Sequence, residues 1–176
     1  MKTLNALQQV VIDTNVILDL WLYIDPRVED LRHALECGEL HWVSTPVMRE
    51  ELARVLQYPH IQLRLEKRAG LLGQGQGQGQ GQDQGQHQNL DLSEHTSGQF
   101  ILAHMDRLAH FEEAAPKASY VCKDADDQKF IDLAQVHQAL LISKDKAVLS
   151  MKNRMARVGV QIMSAWVHDR PKCEEP

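Results

Sequence analysis

Short apolar runs alternate along this chain with longer stretches in which apolar residues recur at helical spacing. Val10-Val11-Ile12 is a run of the first kind and predicts a strand over residues 10–13. Residues 16–22 continue as a helix, with Thr14 and Asn15 as capping candidates. Asp25-Pro26 sets a cap before a proline at the first helical position and opens a helix to about residue 36, which Gly38 ends. His41-Trp42-Val43 predicts a second strand. Thr45-Pro46 repeats the cap-then-proline signal, starting a helix that runs to about residue 57 and stops at Tyr58-Pro59. Phe100, Ile101, Met105, Leu108 and Ala109 suit a helix over residues 97–110. Tyr120-Val121-Cys122 predicts the third strand, residues 126–137 a helix, and residues 140–143 the fourth strand. A short basic helix over 147–154, a fifth strand over 158–162 and a turn or helix over 164–168 complete the pattern. Short apolar strands alternating with helices predict an α/β fold around a mostly parallel, five-stranded sheet.

Residues 73–88 break this pattern with a near-perfect Gly-Gln alternation, interrupted by Asp83 and His87. The tract has almost nothing apolar to bury and is expected to be a flexible, low-complexity insert. The expected organisation is one domain over residues 1–168 carrying that insert, followed by a disordered polar tail over 169–176. A chain of 176 residues is long enough for one substantial core.

Composition narrows the setting. The apolar runs fall far short of the ~20 residues that span a bilayer, and the first residues show no signal-peptide h-region. A cytoplasmic protein without a membrane partner is expected. Cys37, Cys122 and Cys173 are scattered and have no Cys-x-x-Cys spacing, so they read as reduced thiols rather than zinc ligands. The nine histidines follow no ligand spacing. A net charge of −5 would not by itself attract a polyanion. A nucleic-acid substrate must therefore be met by metal or by local basic patches, for which Arg64, Lys67 and Arg68, then Lys144, Lys146, Lys152, Arg154 and Arg157, are candidates against a plain reading as solvated helix faces.

Four acids stand where a carboxylate is awkward without a cation beside it: Asp13, Glu51, Asp127 and Asp145. Asp13 and Asp145 follow apolar strands, and ligands of parallel α/β sheets collect beyond the carboxyl ends of strands. Asp145 also suits the N-cap of the helix that follows. On a helical wheel started at Val47, Met48 lies near ~100°, Leu52 near ~140° and Val55 near ~80°, with Glu51 inside the arc at ~40° and Glu50 outside it at ~300°. From Asp127, Phe130 falls near ~300°, Ile131 near ~40° and Ala134 near ~340°, so Asp127 shares their face while Asp132, near ~140°, does not. Asp124 and Asp126 belong to the loop and helix start, where acids also cap. Two unit charges ~4 Å apart repel by roughly 4 kcal/mol at an effective dielectric of ~20, so gathered carboxylates need protons or a metal. Oxygen ligands suit Mg²⁺ or Mn²⁺, which can activate water and stabilise charge on a phosphate.

The segments Val11-Ile12-Asp13-Thr14-Asn15-Val16, Ser44-Thr45-Pro46-Val47-Met48-Arg49-Glu50-Glu51-Leu52-Ala53-Arg54-Val55-Leu56, Asp124-Ala125-Asp126-Asp127-Gln128-Lys129-Phe130 and Ser143-Lys144-Asp145, taken in order, resemble a PIN domain. The likeness is to the bacterial branch that supplies toxin components of toxin–antitoxin pairs. It implies a three-layer α/β/α sandwich and an Mg²⁺- or Mn²⁺-dependent endoribonuclease. It also implies that Asp13, Glu51, Asp127 and Asp145 form the acidic quartet, supported by the polar positions Asn15 and Ser143. A cognate antitoxin partner and a homodimer are further implications of that branch. One departure is Ala125 where the family commonly has proline, which loosens the choice among Asp124, Asp126 and Asp127. Two rivals remain: a non-catalytic PIN-like module that binds nucleic acid or protein, and a different α/β phosphohydrolase or nucleotide-binding protein. Against the latter, no Gly-x-Gly-x-x-Gly, Gly-Lys-Ser/Thr or Asp-x-Asp signature follows the first strand.

Overall fold

The computed structural model describes residues 7–73 and 97–167, the side chains of 70–73 excepted. Most of the Gly-Gln tract and the 169–176 tail lie outside the described residues. The elements in chain order are β1 (Gln8–Ile12), α1 (Thr14–Leu18), a π-helical turn (Asp19–Tyr23), a 3₁₀ turn (Pro26–Val28) and α2 (Glu29–Glu36). Then come β2 (Leu40–Ser44), α3 (Pro46–Val55), α4 (Pro59–Gly73), α5 (Gly98–Leu108) and β3 (Ala109–Phe111). The chain continues through α6 (Gln128–His137), β4 (Leu140–Ile142), α7 (Lys146–Leu149), α8 (Lys152–Ala156) and β5 (Ile162–Met163).

The five strands form one sheet in the order β3-β2-β1-β4-β5, and every pairing is parallel. Parallel neighbours require crossovers, and right-handed crossovers set the helices between β1, β2 and β3 on one face and α6 to α8 on the other. The strand order reverses at β1. Its neighbours β2 and β4 lead away in opposite directions, which leaves a crevice beyond the carboxyl ends of β1 and β4. The central strands are buried on both sides, as the run Val10, Val11, Ile12 and the run Leu140, Leu141, Ile142 require. Among the described residues, no helix is long and apolar enough to cross a membrane.

Several sequence expectations are corrected. The third strand is Ala109–Phe111, not residues 120–122, because the backbone leaves the helix at Ala109 (φ −88°, ψ 142°) and joins the edge beside β2. Tyr120-Val121-Cys122 has strand composition, yet α6 side chains satisfy its backbone. Gln128 accepts from the Cys122 amide at 2.6 Å and donates to the Tyr120 carbonyl at 3.2 Å, and Gln135 accepts from the Ser119 amide at 3.0 Å. Residues 147–154 form the two short helices α7 and α8 rather than one. The fifth strand shortens to Ile162–Met163, because Gly159 takes φ +82° at the turn before it. The stop at Tyr58-Pro59 is present, since α3 ends at Val55, and Pro59 opens α4, whose Arg68 donates to the Trp21 carbonyl at 2.5 Å and so serves the fold rather than a basic patch.

Candidate metal centre

The register of β1 and β4 builds the first half of the site. Ile12 pairs with Ile142, so the next residues, Asp13 and Ser143, leave the sheet side by side. The Asp13 amide donates to the Ile142 carbonyl at 3.0 Å, and the Ser143 hydroxyl donates to the Asp13 carboxylate at 2.5 Å. Both side chains are buried, Asp13 at 2% exposure and Ser143 at 0%. The same Ser143 oxygen accepts from the Asp145 amide at 3.0 Å, which fixes the turn into α7. Asp145 then caps α7 by accepting from the Ala147 amide at 2.6 Å. Its capping role and its place beside Asp13 are both realised.

Asp13 and Asp127 each precede a helix, but neither side chain caps it. The two carboxylates are near enough for the charge of Asp13 to act on Asp127. Burial pushes the Asp13 carboxyl up. The Ser143 hydroxyl and the backbone amide at Asn15 pull it down, while Glu51 and Asp145 push it up again. Asn15 thus acts through its backbone, and its side chain is exposed. Asp127 is pushed up to about 7, first by burial, then by the neighbouring charges of Asp13, Asp145 and Asp124. Its Oδ2 is buried without a hydrogen-bond partner. An uncompensated carboxylate oxygen beside two other carboxylates is an unfavourable arrangement unless a proton or cation occupies it.

Glu51 sits on the inward face of α3 as its spacing predicts, and Glu50 is exposed. The partners of Glu51 come from two other elements. The Thr14 hydroxyl donates to Glu51 Oε1 at 3.0 Å, and the Lys129 ammonium from α6 pairs with Oε2. Lys129 also donates to the Asp126 carbonyl. Arg49 is committed to Asp106 and Arg54 is exposed. The side chains of Asp124 and Asp126 are exposed too, and Asp124 accepts from the Asp126 amide at 2.9 Å, forming the turn that delivers Asp127. Asp132 faces away, accepting from the Ala118 amide at 2.8 Å. An open cleft of about 660 Å³ is lined by Asp124 and Asp145 together with Lys123 and Lys146.

The PIN-domain sequence pattern matches residues 9–147, a span that runs from β1 to α7 and contains every one of these acids. The chain belongs to the PIN-domain family. A comparison with curated proteins finds no match. PIN domains are generally divalent-metal-dependent nucleases, and the all-parallel sheet flanked by helices in this PIN domain accords with that fold. Among the described residues, no three His, Cys, Asp or Glu side chains are already drawn around one point as ligands. The donors still fit a hard ion. Mg²⁺ is commonly bound through one or two carboxylates with waters completing its shell, and the unpartnered Asp127 oxygen beside Asp13 and Asp145 supplies that kind of donor.

Proposed function

We propose that this PIN domain is an Mg²⁺- or Mn²⁺-dependent endoribonuclease that hydrolyses RNA phosphodiester bonds, with Asp13, Asp127 and Asp145 as metal ligands and Glu51 adjoining. The observation that carries the reading is the buried, unpartnered Asp127 oxygen, whose carboxyl is raised to about 7 beside Asp13 and Asp145. Such a site attracts positive charge, and an acidic chain can meet an acidic polymer only where that charge is supplied. The bound ion would lower the pKa of a water and neutralise charge building on the attacked phosphate. The protein's own part is positional. Ser143 holds Asp13 by one carboxylate oxygen, Asp145 is fixed by its cap to α7, and Thr14 with Lys129 sets the Glu51 side chain. Asp124 and Asp126 shape the turn before Asp127, and Asn15 contributes its amide. No histidine is needed as general base.

The ordered motifs also support a role as the toxin of a toxin–antitoxin pair, blocked by a cognate antitoxin and able to form a homodimer. The test of the activity is cleavage of a labelled single-stranded RNA with Mg²⁺ or Mn²⁺ by the protein and by its Asp13→Asn and Asp145→Asn variants. Activity in the parent that falls at least about 100-fold in both variants supports the reading. Equal activity in all three ends it, and no cleavage with either ion leaves the non-catalytic binding module as the better account.

A further inference from the structure

Glu51 and Asp126 also line a second groove, of about 350 Å³. Val47, Arg54 and Val55 of α3 line it together with Tyr58, which follows the end of that helix. Val47 is 52% exposed and Tyr58 44% exposed, although both are large apolar side chains. Arg54 is exposed and has no ion-pair partner among the described residues. Ala125, Asp126 and Lys129 complete the lining, and Lys129 is paired with Glu51. The Tyr58 backbone is held firmly, since its carbonyl accepts from the Ile61 and Gln62 amides at 2.9 Å at the corner between α3 and α4. The ring lies 6.0 Å from that of His60, tilted by 37°.

A half-exposed ring on a held backbone, sharing a groove with a guanidinium that has no ion pair among the described residues, has the chemistry of a nucleotide subsite. Bases of single-stranded nucleic acid stack on aromatic rings, and arginine meets phosphate. A paired helix would keep its bases stacked inside, so the groove suits an unpaired strand. We propose that this groove takes one nucleotide of single-stranded RNA next to the bond that is cut, its base on Tyr58 and its phosphate on Arg54, with Lys129 at the end nearest Glu51. This subsite rests on the ribonuclease reading above and sets the side of the acid cluster from which the strand leaves. The lining balances Glu51 and Asp126 against Lys129 and Arg54, with Lys129 already paired to Glu51. Continuity with Glu51 and the exposed Arg54 in the same groove as the Tyr58 ring favour RNA over a protein occupant.

The test uses the full chain and a fluorescently labelled single-stranded RNA. Binding is measured by anisotropy in Ca²⁺, and single-turnover cleavage in Mn²⁺. Tyr58→Ala should weaken binding at least about 5-fold, as loss of base stacking does, while Tyr58→Phe keeps it. Arg54→Ala should weaken binding and flatten the slope of log affinity against log salt by about 0.7, the value for one lost phosphate contact on a single strand. Wild-type affinity and cleavage in both alanine variants overturn the subsite and assign the face to a protein partner. A parent protein that binds RNA through Tyr58 but cuts nothing defeats the ribonuclease reading and leaves the subsite standing, so the two failures are distinct.

Discussion

Replacing Asp127 by asparagine should make the metal-free protein more stable at alkaline pH. A carboxyl raised from 3.8 to about 7 in the native state prefers its proton there. The unfolded chain ionises this group near pH 4, so the native state holds more protons between about pH 4 and 7 and loses stability as pH rises across that window. At about 1.4 kcal/mol per pH unit the full cost above pH 7 is about 4 kcal/mol. Asp127 is only partly buried, and solvent screening reduces this to about 1–2 kcal/mol. Asparagine keeps the shape without the charge, so the gain appears at pH 8 and is small at pH 4.5. For a chain of this size it corresponds to roughly 2–8 °C in Tm. Thermal denaturation in EDTA at the two pH values, with urea titration as a check, measures it. A variant that is less stable at pH 8, or whose gain is the same at both pH values, refutes the electrostatic account of the crevice.

Two further outcomes follow from contacts around the site. Ser143→Ala removes the donor to the Asp13 carboxylate and the acceptor of the Asp145 amide, inside a buried setting, and should cost about 1–3 kcal/mol in urea denaturation. Gln128→Ala frees the Cys122 amide and the Tyr120 carbonyl. Hydrogen exchange should then show faster exchange through residues 118–123, the segment that leads to Asp124, with the sheet amides unchanged.

How much of this was legible depended on whether a residue's role was local. Asp13 and Asp145 announced themselves because each follows an apolar strand, and the parallel sheet put both strand ends at one crevice. Glu51 was legible from helical spacing alone, since Met48 and Leu52 bury the face it shares. Asp127 was found by the same arithmetic but sits just before α6 rather than within it. Thr14 and Lys129 were missed because their partner is Glu51, on another element, and pairing across elements leaves no periodic trace. The edge strand β3 was hidden by Leu108 and Ala109, whose apolar character continues the α5 pattern with no glycine or proline at the boundary. Tyr120-Val121-Cys122 misled for the opposite reason. Its residues favour strands, but Val121 is 58% exposed, and the hydrogen bonds of Tyr120 and Cys122 come from the side chain of Gln128.

Calorimetric titration of the purified chain with Mn²⁺ at pH 7.5 tests most directly whether these acids form a metal centre. Saturable binding is expected, lost in Asp127→Asn and at least about 10-fold weaker in Asp13→Asn. Absence of binding to the parent at millimolar Mn²⁺, or undiminished binding in both variants, would contradict the metal centre.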